Sequence, residues 1–264
     1  MLCTNCGTRP AASVEGRCSV CATAGPLPAP AAPGPHGLRS PVALAKAAVA
    51  LLGAVIATDV LALTTELNLR GEFTSIGDGA VYDAGSADRA ESLYGMAAGL
   101  QVIAFLATAV VFVIWFRRVR LNAEVFDASR QPMRPGWAIG AWFVPVANMW
   151  LPWRVAEGIW TASAQSITDG TWRKVSKAPL NAWWTLYLVS TFFAQIASRN
   201  YDATESSPGL VDAVTLIMAA DALDIAAAVM AIAFVRKLTR MQSERAARGT
   251  YPLSAPAPGG VPHP

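Results

Sequence analysis

Gly136 to Trp160 reads GWAIGAWFVPVANMWLPWRVAEGIW, and whether this stretch crosses a bilayer or enters and returns decides the topology of everything after it. It is apolar enough for lipid, yet Pro145, Asn148 and Pro152 interrupt it where a straight spanning helix needs backbone hydrogen bonds. Five of the nine tryptophans, Trp137, Trp142, Trp150, Trp153 and Trp160, fall inside it. The chain around it is 53% hydrophobic and only 15% charged over 264 residues, a balance that points to lipid as the main solvent.

Working outward, four other segments are long and apolar enough to span: 42–64, 93–116, 179–198 and 210–235. The first carries Lys46 and Asp59, read as a snorkelling cation and a tolerated interfacial carboxylate at opposite ends. Between the first two spans, Glu66 to Ser92 holds six carboxylates against Arg70 and Arg89, and reads as an acidic loop on the outer side. Gly95 and Gly99 form a small-residue pair expected to let helices approach closely. The second span leaves lipid through WFRRVRLNAE, where Arg117, Arg118 and Arg120 mark an inner face.

Charge decides between the two topologies. With the N-terminus inside and 137–160 returning to the side it entered, 18 of the 21 Lys and Arg residues are cytoplasmic and only Arg70, Arg89 and Arg199 lie outside. If 137–160 crosses instead, the basic residues of 154–177 and of the C-terminal tail move outside, against the positive-inside rule. The expected architecture is therefore an all-α membrane protein with four transmembrane helices and one proline-broken re-entrant or interfacial segment at 137–160. Both termini are cytoplasmic, and the expected location is a bacterial inner membrane. The helical membrane domain covers 42–240 and a disordered tail 241–264.

The segment from Trp115 to Ser190, with WFRRVRLNAE, GWAIGAWFVPVANMWLPWRV, IWTAS and NAWW, resembles the bacterial integral-membrane family named domain of unknown function 4328. The resemblance runs over roughly the last four-fifths of the chain. It implies membrane location and a similar architecture, often with an N-terminal zinc-ribbon or proline-rich head, and it carries over no catalytic residue.

All four cysteines lie in the first 21 residues, as CTNC and CSVC. Two Cys-x-x-Cys knuckles, Cys3/Cys6 and Cys18/Cys21, supply the closed four-thiolate shell of a structural Zn²⁺ site. The head, 1–24, is expected to fold around that ion, which would supply on the order of 10 kcal/mol. A Pro/Ala/Gly-rich linker, 25–41, follows. Only Arg9 and Arg17 are basic in the head, too few to track phosphates, so no nucleic-acid partner is expected.

Asp221 and Asp224 sit three residues apart near the middle of the last span, on one helix face. Carboxylates at that depth need a partner, a proton or a polar interior. Two readings are open: they fix helix register by bonding Gln101 or Asn148, or they form a proton or cation site. Beside the tryptophan run, Arg118 or Arg120 with Glu124, and Arg154 with Glu157, are expected to pair and anchor the segment at the interface with Arg117 and the five tryptophans. No GxSxG, HExxH or phosphate loop occurs, and histidine appears only at 36 and 263, so no enzyme is expected. Function reads as a non-enzymatic interaction or regulatory role, with the zinc head recruiting a protein partner and a homo-oligomer in view. A small ion or proton channel or transporter is the alternative.

Overall fold

Alanine, leucine and valine fill a run with no proline from Val42 onward, and it forms one helix, α1 (Val42–Gly77, 36 residues). The helix stops where Gly79 takes φ 88° and the Asp78 and Gly79 amides bond back to Thr74 and Ile76 carbonyls. Asp83 then caps α2 (Ala84–Phe126, 43 residues), its side chain accepting from the Gly85 amide at 3.0 Å. The remaining helices are α3 (Trp137–Gly140), α4 (Leu151–Ala164), α5 (Ala178–Asp202) and α6 (Ser207–Ala247). This computed structural model describes residues 37–79, 83–164, 175–204 and 206–247, with Leu2, Pro10 and Ser19. Six α-helices and no strand occur among the described residues. They belong to a helical unit, His36–Thr250; the other unit, Met1–Pro35 with Tyr251–Pro264, contains the four cysteines.

Among the described residues three helices are long and apolar enough to cross a membrane: α1, α2 and Pro208–Ala247 within α6. Together with exposed Val102, Ile103, Phe105, Leu106 and Val110 along α2, they make this a membrane protein in contact with lipid. At roughly 1.5 Å per residue, α1, α2 and α6 are about 54, 65 and 62 Å long, far more than a hydrocarbon core needs.

That length corrects two boundaries. The expected acidic loop of 66–92 is mostly helix, leaving only 78–83 as the link, because Leu69, Phe73, Ala90 and Val214 close a second apolar core beyond the first. The tail does not begin at 241, since Met241, Gln242 and Arg245 are buried in the continuing helix α6. Gly95 and Gly99 bring no helices together within this chain: a Cβ at either would meet nothing within 4 Å.

Helix α1 packs along both α2 and α6, and α5 packs along α6. Aromatic rings fill the space between α2, α5 and α6 at the end where the arginines cluster, here called the basic end. Trp183 stacks on Phe234 with centroids 4.5 Å apart and planes 7° from parallel, and Phe112 and Trp115 pack edgewise and tilted around them. The opposite, acidic end holds the smaller core with Tyr94 against Tyr201.

The tryptophan run does not form a continuous helix. Val146 has φ 63° and ψ −49°, and the Ala147 amide donates to the Pro145 carbonyl at 2.7 Å. That is a γ-turn of the strained kind, here centred on a β-branched residue, and it reverses the chain between α3 and α4. The Met133 carbonyl before the run accepts from Arg120 at 2.6 Å, and Ser163 after it accepts from Gln242 at 3.2 Å. Both ends of the run therefore contact the basic end of the bundle.

Only part of the expected tryptophan belt is a belt. Trp160 is buried and stacks on Phe234, and Trp142 packs against Phe112 and Phe116, so these two are core. Trp137 and Trp150 are exposed, and Trp153 donates its indole N–H to Asn181 at 3.1 Å. Gly158 is required where α4 meets the turn at Ala128–Arg130, because a Cβ there would lie 2.9 Å from the Arg130 carbonyl oxygen.

Candidate functional site

Between the two apolar cores lies a polar cluster shared by three long helices. Gln101 of α2 donates both amide hydrogens, to Asp59 of α1 at 3.0 Å and to Asp221 of α6 at 2.9 Å. Glu66, two helical turns along α1 from Asp59, lies beside the Asp221 carboxyl. Two ionised carboxylates have only acceptor oxygens and repel each other at that range, so a proton on one of them relieves the pair. One turn on, Asp224 accepts from the Ser190 hydroxyl of α5 at 3.2 Å.

Burial makes the cluster costly. Asp59 is 3% and Glu66 1% exposed, and Asp59 Oδ2 and Glu66 Oε2 have no hydrogen-bond donor. An ionised carboxylate so placed costs several kcal/mol, so proton occupancy relieves the strain of the arrangement. Counted along the helices, Asp59 lies about 25 Å from Val42, Asp221 about 22 Å from Arg236 and Glu66 about 36 Å from Val42, which places the cluster toward the far side of an apolar layer of roughly 30 Å. Among the described residues, no three His, Cys, Asp or Glu side chains converge as a metal ion would need.

Of the residues singled out in the sequence, Asp221, Asp224 and Gln101 lie in this cluster, with Gln101 bonded to Asp221. Asn148 does not join them; it is exposed in the turn at Ala147–Met149. Composition alone places Asp59 at an interface and Glu66 in a loop, whereas both are buried in α1. Their signal was the seven-residue spacing, continued by Ala62, Leu69 and Phe73, which places them on one buried face of α1.

A second polar network closes the basic end. Asn122 accepts from the Arg39 amide at 3.1 Å, and donates to the Arg39 carbonyl at 2.9 Å and to Gln242 at 3.1 Å. Gln242 donates in turn to the Val119 carbonyl at 2.9 Å and to Ser163. Arg120, 2% exposed, pairs with Glu124 at 3.1 Å, and Arg245 donates to the Phe126 carbonyl while lying 4.8 Å over that ring. Both guanidiniums lie beyond the apolar stretches; burial pushes their pKa values down, opposed by Glu124 and Asp127 respectively. The expected pair of Arg154 with Glu157 does not form: Glu157 accepts from Lys177 at 2.6 Å, because α4 turns that face toward the start of α5. Arg117 and Arg154 are exposed.

Cys3, Cys6, Cys18 and Cys21, with the Zn²⁺ site expected on them, lie outside the described residues. An isolated antiparallel bridge pairs Leu2 with Pro10, which flank the first Cys-x-x-Cys in sequence.

The family model described as Domain of unknown function (DUF4328) matches residues 78–240, more than half of the chain. Neither the curated proteins nor the solved structures contain a match.

Proposed function

The chain belongs to the DUF4328 family, and from that premise we propose that it is a multi-pass membrane protein that binds and passes protons on the cluster of Asp59, Glu66, Gln101, Asp221 and Asp224. The observation that carries the reading is Gln101 bridging Asp221 to the buried carboxyl of Asp59, with the buried Glu66 beside Asp221. Neighbouring carboxyls that can share and exchange a proton within a helix bundle are the arrangement a proton relay uses. In this reading α5 is a fourth crossing and 137–160 enters and leaves on the cytoplasmic side of an inner membrane. The distribution of lysine and arginine and the reversal at Val146 support that topology. No covalent chemistry on a substrate is involved.

Purified protein in liposomes carrying an internal pH dye, with a potassium gradient and valinomycin, tests the reading. Proton entry above that of empty liposomes is expected, and Asp221→Asn abolishes it. Wild-type liposomes that stay as tight as empty ones overturn it.

The spacing of the four cysteines favours a second, compatible role: a cytoplasmic Zn²⁺-binding head on a proline-rich tether that recruits a protein partner. One zinc per chain, lost in Cys3→Ser/Cys18→Ser, is expected by elemental analysis. Cross-linked partners should disappear when residues 1–37 are deleted, and an unchanged set removes the recruiting role.

A further inference from the structure

At the basic end, on the surface between α1 and α6, lies an open groove of about 440 Å³. Its walls are aliphatic, from Val42, Ala45 and Val49 of α1. Its rim is cationic, with Lys46 one turn into α1 and Arg236 and Arg240 on the facing turns of α6. The position is particular: Val42 begins the apolar stretch of α1, and Arg236 ends that of α6. The groove therefore sits where both helices pass from an apolar to a polar surrounding. Arg240 pairs with Glu244, which accepts from its Nε at 2.7 Å, and with Lys46 and Arg236 the described groove lining keeps a positive excess.

We infer that this groove binds an anionic glycerophospholipid, its phosphate held by Lys46, Arg236 and Arg240 and an acyl chain laid against Val42, Ala45 and Val49. Two features select a lipid over a free phosphate. The walls offer aliphatic surface that an inorganic ion would leave bare. The cations also lie at the height of a headgroup, where each contributes to attraction of an anionic leaflet. Charge selects an anionic headgroup over a zwitterionic one, because a choline ammonium would meet three like charges.

The test uses the purified full-length chain in neutral detergent and titrates phosphatidylglycerol, phosphatidylcholine and glycerol 3-phosphate separately, with bound lipid read by native mass spectrometry. Phosphatidylglycerol is expected to bind one per chain, and the other two to bind much more weakly. The double variant Lys46→Gln/Arg236→Gln should weaken phosphatidylglycerol binding about thirty-fold. Ala50→Trp, which fills the groove and leaves the cations in place, should weaken it as well, while Arg117→Gln/Arg118→Gln, away from the groove, should not. Thermal unfolding confirms that each variant is folded. Equal binding of phosphatidylcholine, equal competition by glycerol 3-phosphate, or unchanged binding in both groove variants overturns the inference.

Discussion

Asn122 and Gln242 at the basic end, and Asp59 and Glu66 roughly 30 Å along the same bundle, are all buried polar side chains, yet their surroundings differ in kind. Each amide group of Asn122 and Gln242 meets a partner, and the network ties Arg39, α2, α4 and α6 together. Asp59 and Glu66 are just as buried, but each keeps one oxygen without a donor. A satisfied buried network specifies a structure; an unsatisfied one of acids is held in place by its neighbours and stands ready for a proton. The comparison separates a staple from a site within one fold, and four measurements bear on it.

The largest difference is expected from Asp221→Asn. Proton flux should fall to that of empty liposomes, while stability in detergent changes by about 1 kcal/mol or less, because an amide in place of a buried acid removes no satisfied network. A large loss of stability would make the acidic cluster a staple too. Gln242→Leu should do the reverse. It removes one of the partners of the Asn122 amide, the Val119 carbonyl and the Ser163 hydroxyl, and is expected to cost about 2 kcal/mol by chemical unfolding with flux per folded molecule unchanged.

Gly158→Ala sharpens the same contrast at the basic end. A methyl group 2.9 Å from the Arg130 carbonyl must push α4 away from the turn beneath it, at a cost of about 1 to 2 kcal/mol read as a lowered unfolding midpoint. The smallest effect belongs to Glu157→Gln. Its pair with Lys177 is substantially exposed on both sides, so the loss should stay below about 0.5 kcal/mol and fade with added salt.

Legibility differed by region for physical reasons. Asp221, Asp224 and Gln101 stood out because a polar residue in an apolar run is conspicuous by itself. Asp59 and Glu66 did not, because Glu66 is the first of six carboxylates in 66–92 and composition there resembles a loop. What made it helix was the contact of Leu69 and Phe73 with Ala90 and Val214, residues far apart in the chain. The tryptophan run was readable as broken, from Pro145, Asn148 and Pro152. That Trp142 and Trp160 are core depended on Phe112, Phe116 and Phe234 arriving from α2 and α6.

The amino-acid sequence by itself determined that the chain is an all-helical membrane protein, where its apolar stretches lie and which end collects its positive charge. Each of these follows from local composition, since a helix satisfies its own backbone and charge sorts at the boundary of lipid. Only the tertiary structure decided how far the helices continue, which acids lie together, and which tryptophans are buried. Those depend on side chains brought together from different helices, and no spacing along one segment specifies what a neighbouring helix presents to it.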